Sequence, residues 1–232
     1  MKKPKFSIII PVYNEEGINS LIKELNDLEL IKKAEIIVVD GNKNTTIKKI
    51  KFKGIIKIIS EKGRAKQMNL GAKNAKGDIL IFLHADTKLQ KDALTKIEKA
   101  LEDQSYVAGA FSLRLDSKNL FLKLVSFITS IRSKIVRIPY GDQAIFIRKN
   151  YFKKINGFRD IPILEDVELM RSIRKNCNCI KILDEEVISS ARRWNEKGII
   201  KTTYTNRKIM FLYMLGFTPE KLVEIYKKRK NN

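Results

Sequence analysis

His84-Ala85-Asp86-Thr87 closes an apolar run, Asp78 to Leu83, with the chain's only histidine and an acid. A carboxylate at the mouth of a buried strand is costly unless it meets a cation or hydrogen-bond donors. A hard divalent metal bridging diphosphate oxygens would meet it, and Asp86 is then the metal ligand. Asp86 or Thr87 would equally start a helix near Gln90, and spacing alone leaves both readings open. Gly63-Arg64-Ala65-Lys66-Gln67 puts two cations at a helix start, where they oppose the helix dipole. An anion bound there would relieve that conflict, and a solvated basic turn is the alternative. Glu165-Asp166 stands before an apolar helix. Such a pair complements a helix start, or it supplies a general base and a group that holds an acceptor. Arg192-Arg193-Trp194 places the single Trp beside two guanidinium groups, which suits either phosphate clamping or anchoring of the tail. No Gly-x-Ser-x-Gly elbow accompanies His84, which argues against a hydrolase triad.

The elements needed to position these groups can be read from hydrophobic periodicity. Phe6–Ile10 ended by Pro11, Glu35–Asp40, Ile55–Ile59 and Asp78–Leu83 are short buried strands. Helical patterns over Glu15–Leu28 and Arg64–Ala75 alternate with them, which predicts a mostly parallel sheet covered on both faces. Ligands of such sheets bind beyond the carboxyl ends of the strands. Tyr13-Asn14-Glu15, Asp40, His84 and Asp86 fall there. In the second half, Val107–Leu115 and Ala144–Ile147 read as strands and Glu165–Lys175 as a helix. Trp194–Lys230 reads as two helices broken near Gly216–Pro219. Asn119–Arg137 gathers Phe121, Leu124, Val125, Ile128, Ile131 and Ile135 on one helical face. That face, like Arg207–Phe217, packs into the core or lies on a membrane interface as a peripheral contact.

With 232 residues, 44% of them hydrophobic, the chain can bury one sizeable core. A net charge of +21 favours anionic partners, or reflects lysine spread along the whole chain. The aromatics follow core periodicity rather than a basic stripe, so nucleic acid is not expected as a partner. No apolar run approaches the length of a membrane span. The basic N-terminal residues lead into a strand rather than a long apolar segment, and Cys177 and Cys179 read as reduced thiols. A cytoplasmic location is therefore expected.

Taken in order, Ile10-Pro11-Val12-Tyr13-Asn14-Glu15-Glu16, Val38-Val39-Asp40-Gly41, Gly63-Arg64-Ala65 with Gln67-Met68-Asn69, Phe82-Leu83-His84-Ala85-Asp86-Thr87, Gly141-Asp142-Gln143, Glu165-Asp166 and Arg192-Arg193-Trp194 resemble glycosyltransferase family 2. Within it the chain is similar to a short bacterial subgroup carrying His-Ala-Asp in place of Asp-x-Asp, some of whose members are described as arsenosugar-biosynthesis glycosyltransferases. The resemblance implies an α/β GT-A fold: a Rossmann-like, mostly parallel central sheet flanked by helices, with a helical C-terminal extension. It implies one domain over 1–232, with a nucleotide-sugar half (1–103), an acceptor and catalytic half (104–192) and C-terminal helices (193–232). The implied reaction is an inverting transfer from a nucleotide sugar to an acceptor hydroxyl. Pro11, Tyr13, Glu15, Asp40, Arg64 and Gln67 would then line the donor site. Asp86, with His84 as an additional candidate, would hold Mg2+ or Mn2+ on the diphosphate. Asp166 would be the general base, and Asp142, Glu165, Arg193 and Trp194 would shape the acceptor and diphosphate side. His84 and Thr45 stand where the family carries acids, which points to altered metal affinity and donor choice. A sugar-phosphate nucleotidyltransferase and a non-catalytic nucleotide-binding domain are the competing readings. The sequence names neither sugar, nucleotide, acceptor nor oligomeric state.

Overall fold

The computed structural model describes residues 3–176 and 179–228. Among them, eight strands make one sheet: β1 (Phe6–Val12), β2 (Ala34–Asp40), β3 (Ile56–Ile59), β4 (Ile79–Phe82), β5 (Thr87–Lys88), β6 (Ala108–Asp116), β7 (Ile145–Arg148) and β8 (Ile180–Ser190). Their order is β3-β2-β1-β4-β7-β6-β8-β5, with only β7 and β5 running against the rest. This is the GT-A-like, mostly parallel sheet expected. The flanking helices are α1 (Ile18–Asn26), α2 (Arg64–Asn74), α3 (Ala93–Ala100), α4 (Leu120–Val136), α5 (Lys149–Lys154) and α6 (Glu165–Asn176). The C-terminal part holds α7 (Arg192–Lys197), α8 (Ile199–Met214) and α9 (Pro219–Lys228).

Continuous apolar strands arise because both faces are covered. Ile8, Ile10, Val38 and Ile81 point to the layer of α1 and α3, packing with Ile18, Ile22, Leu25 and Ile97. Ile9, Ile37, Val39, Leu80 and Phe82 point the other way, onto Ala65, Met68, Met170 and Ile173 of α2 and α6. The period of two along each strand sorts neighbours to opposite layers.

β1 continues through Pro11 rather than ending there. Val12 accepts from the Gly41 N–H on the β2 side, and Ile9 accepts from Leu83 on the β4 side. Alternation points the nitrogen of Pro11 toward β4, which has already ended at Phe82. The missing N–H therefore costs no ladder bond. The tail contains one more break than expected, at Gly198 (φ 85°), so α7 precedes the two predicted helices. Cys179 is disulfide-bonded rather than reduced, and Cys177 lies outside the described residues.

Helix α4 turns its apolar face outward, so the core-packing reading of that face does not hold. Asn119 caps it by accepting from the Phe121 and Leu122 N–H groups. Its buried residues are Leu122, Ser126, Ser130 and Ser133. Phe121, Leu124, Ile128, Ile131 and Ile135 are exposed, and of the predicted apolar face only Val125 is partly buried. The cause lies in β6. β7 pairs with β6 only at Ala108 and Gly109, leaving the N–H groups of Leu113 and Leu115 without a strand partner. They donate instead to Ser130 Oγ (2.9 Å) and Ser126 Oγ (3.0 Å). A buried N–H without a partner would cost about 1–3 kcal/mol, so the serine stripe must face inward.

Candidate active site

Strand direction gathers the candidate residues at one edge of the sheet. β1, β2 and β4 end there with Val12, Asp40 and Phe82. Antiparallel β7 starts there, Ile145 lying opposite Phe82, so the Gly141–Gln143 turn before it sits beside His84. β8 ends at the same edge, with Ser189 opposite Thr87, and delivers Arg192 and Arg193.

On the β1–β2 side, Asp40 is fully buried and serves its own loop. Its Oδ1 accepts from Asn42 N–H (2.9 Å), and its Oδ2 accepts from Thr46 (2.6 Å) and Ile47 (3.2 Å). Thr45 Oγ1 donates to Asn14 Oδ1 at 2.9 Å, and Thr46 Oγ1 accepts from the Glu15 N–H at 3.0 Å, tying this loop to the end of β1. Gln67 is also buried and sends its amide N–H groups to the carbonyls of Val12 and Val39, both at 2.8 Å. Asp40 and Gln67 therefore shape the cleft floor. Tyr13 is the outward group, nearly half exposed, with Lys62 Nζ 4.6 Å from its ring centre.

The charged centre lies between β4, the Gly141–Gln143 turn and α6. Gly141 has no room for a side chain: a Cβ would fall 2.9 Å from His84 Nε2 and 3.1 Å from Asp166 Oδ2. Its N–H donates to Asp166 Oδ2 at 2.5 Å. Asp166 Oδ1 meanwhile accepts from the Val167 N–H at 2.8 Å, so Asp166 both begins α6 and faces the centre. The turn itself is fixed by buried Gln143. Its Oε1 accepts from Ser133 (2.8 Å) and Tyr140 N–H (3.0 Å), and its Nε2 donates to Phe111 O (2.8 Å). Across the cleft, Arg64 at the start of α2 pairs with Glu165 Oε1 at 3.4 Å. Glu165 is 3% exposed and Arg64 about half exposed, so the pair stands at the wall of the cleft.

Crowded acids disturb one another here. Asp142 is pushed up to about 6, first by lost solvation and then by Asp166 and Asp86. Glu165 is raised well above the usual carboxylate range by burial and by Asp166, against the pull of Arg64. Asp86 is raised by lost solvation and Glu15 and lowered by a backbone hydrogen bond, Arg192 and Arg64. His84 is lowered to about 3 by burial and by Arg64, so its imidazole is neutral at physiological pH. Arg132 of α4 stacks on the Tyr140 ring at 3.8 Å and belongs to the same field as Asp142 and Asp166. Arg132 and Tyr140 were not singled out by sequence. The signal was the spacing that runs α4 directly into the Gly141 turn.

Several buried polar atoms at this centre have no hydrogen-bond partner among the described residues: Asp142 Oδ1, Arg132 Nε and Arg193 Nε. Arg193 stacks on Tyr226 at 4.9 Å, while Trp194 packs with Leu113, Leu115 and Leu122, anchoring the tail. No three His, Cys, Asp or Glu side chains among the described residues converge tightly enough to hold a metal. One or two carboxylates fit a cation that substrate phosphates also bind. A separate cavity of about 720 Å3, lined in part by Lys5, Asp78, Arg148 and Lys154, opens at the amino ends of β1 and β4, away from this centre. Its Asp78 pairs with Lys3, and Arg148 donates to the carbonyls of Tyr106 and Leu101.

Gly141→Ala tests whether the close approach matters. The added methyl must displace His84 or Asp166, so turnover is expected to fall at least tenfold. Stability should drop by about 1–3 kcal/mol. Steady-state rates and thermal melts of the variant check both.

The profile of Glycosyl transferase family 2 matches residues 7–178. An uncharacterized glycosyltransferase of Bacillus subtilis (strain 168) is 38% identical over 124 residues, covering 49% of this chain and 31% of that protein. The dolichol-phosphate mannosyltransferase of Pyrococcus furiosus is 30% identical over 112 residues, covering 45% and 32%. The matched region thus spans about a third of these two relatives' own lengths. Among solved structures, the Pyrobaculum calidifontis mannosyltransferase in complex with GDP-Man and Mn2+ superposes with a TM-score of 0.65 and 19% identity, over 82% of this chain and 57% of that one. TarS 1-349 of S. aureus with UDP-GlcNAc gives 0.62 and 18%, over 80% and 58%. At such identities the structural likeness speaks for the fold alone.

Proposed function

This chain belongs to glycosyl transferase family 2, and from that premise we propose that it is an inverting glycosyltransferase moving a sugar from a nucleoside-diphosphate donor to an acceptor hydroxyl. The observation that carries the reading is the meeting of acids from separate elements around Gly141: Asp166 from α6, Asp142 from the turn and, within the same field, Asp86 from the end of β4. A single displacement needs a base on the face opposite the leaving group, and acids on different elements can flank a sugar that way.

In this reading Asp166 accepts the acceptor hydroxyl's proton as the oxygen attacks, a contribution of the kind worth 10²–10⁴ in rate. The cleft formed by Pro11, Tyr13 and Glu15 holds the nucleoside, over a floor shaped by Asp40 and Gln67. Arg64 and Arg193 face the diphosphate, where negative charge grows as the bond breaks. Asp86, with neutral His84 beside it, would hold Mg2+ or Mn2+, which when bound neutralises charge on the departing diphosphate. Asp142, Glu165 and Trp194 border the acceptor side. We assign residues 1–103 to the donor, 104–192 to acceptor and catalysis and 193–232 to the closing helices. We also place the chain in the subgroup carrying His-Ala-Asp; the disulfide at Cys179 removes one of the two grounds for a cytoplasmic location.

Thermal melts with GDP, UDP, GDP-mannose and UDP-N-acetylglucosamine, each with and without Mn2+, test the reading. A true donor nucleotide at a hundredfold excess over its Kd should add about 2.7 kcal/mol of stability. The Mn2+-dependent part of the shift should vanish in Asp86→Ala. The reading fails if no nucleotide shifts the melt under any condition. Pyrophosphate release from a sugar phosphate and a nucleoside triphosphate would favour a nucleotidyltransferase instead.

A further inference from the structure

The outward stripe of α4 is out of keeping with a helix that only covers a sheet edge. Leu120, Leu124, Phe127, Ile128, Ile131 and Ile135 follow one another at helical spacing, Leu120 being 78% and Ile135 75% exposed. Helix α8 repeats the pattern with Ile200, Phe211 and Met214, the first 76% and the last 71% exposed. The basic side chains Lys123 and Lys134, the latter paired with Asp184, accompany the first helix and Lys201, Arg207 and Lys208 the second, and neither helix contains an acid. Leu122 and Val125 of the first and Ile199 of the second belong to one cluster, built on Leu113 and Leu115, that also holds Trp194. No helix among the described residues is long and apolar enough to cross a membrane.

We propose that α4, supported by α8, docks this protein onto an anionic lipid surface, its apolar stripe entering the headgroup boundary and its lysines meeting the lipid phosphates. Charge and area both select this occupant over a second copy of the chain. At +21, two copies repel, and a self-complementary contact would bring the lysine-bearing helices together. The 17-residue α4 is about 25 Å long, so a stripe about 10 Å wide offers roughly 250 Å2. A stable protein–protein interface needs about 800 Å2 from each partner. A lipid surface has no such threshold: insertion adds up side chain by side chain and is reinforced by anionic headgroups. The inference is independent of the sugar-transfer reading.

Flotation with vesicles of phosphatidylglycerol and phosphatidylcholine, compared with phosphatidylcholine alone, provides the test. The wild type should float with the anionic vesicles at low salt. The double variant Phe127→Asp/Ile131→Asp alters only exposed positions, so it should keep its melting temperature and any nucleotide-induced shift. Its vesicle binding should fall at least about tenfold, because two large side chains no longer insert. Lys123→Glu should weaken binding more at low salt than at high salt. Absence of flotation at low salt overturns the proposal. So does binding that the double variant retains, which would be attraction to net charge alone. A wild-type dimer that the double variant dissociates, without vesicle binding, would make the occupant a second copy.

Discussion

Asp166→Asn is expected to lower turnover by about 10³-fold while leaving donor affinity within a factor of a few. The amide is nearly the same size and its oxygen can still accept from the Gly141 N–H, as Asp166 Oδ2 does at 2.5 Å, giving up only the bond from the Val167 N–H to Oδ1. It cannot accept a proton. A loss in kcat with the nucleotide-induced thermal shift preserved is therefore the signature of a base. A parallel loss of nucleotide binding would reassign Asp166 to holding the turn. Wild-type rates from the carboxamide would remove it from the chemistry altogether.

Asp142→Asn should make the protein more stable and less active. The Asp142 carboxyl titrates near 6 in the folded chain, against an ordinary value of 3.8. Below about pH 4 both folded and unfolded chains hold the proton, and the group contributes nothing. Between about 4 and 6 the folded chain alone keeps it, so stability falls as pH rises. Above about 6 the folded chain carries a buried charge, and the full cost persists. A two-unit displacement corresponds to roughly 3 kcal/mol, which sets the upper end of the gain expected from Asn at neutral pH. Each kcal/mol should raise the melting temperature by about 2–4 °C for a chain of this size. The gain should disappear below about pH 4, and melts across that range check the sign. Activity should fall at least tenfold, because the same crowding of Asp86, Asp142 and Asp166 is what a cation or a developing positive charge would relieve. Burial raises Glu165 in the same direction, so its own contribution to stability also falls as pH rises.

Much of this centre could be read in advance because strand ends announce themselves. Asp40, His84 and Asp86 each follow an apolar run, and Glu165-Asp166 opens an apolar helix, so residue type and position coincide. What was hidden depends on partners distant in sequence. Asp40 reads as a ligand group until the loop of Asn42, Thr46 and Ile47 is seen folding its N–H groups onto it. Arg132 reads as one more cation on a basic helix until Tyr140 lies beneath it. The orientation of α4 was hardest, because Ser126, Ser130 and Ser133 form a polar stripe of the kind solvent usually receives. Nothing local says that Leu113 and Leu115 need those hydroxyls.

That serine stripe has a consequence for the life of the chain outside its folded state. With α4 peeled away, β6 would show a row of unsatisfied backbone groups, a template on which a strand from another molecule can pair. Two serine hydroxyls thus stand between this protein and edge-to-edge polymerisation. Fraying of α4, rather than melting of the sheet, is where aggregation should begin.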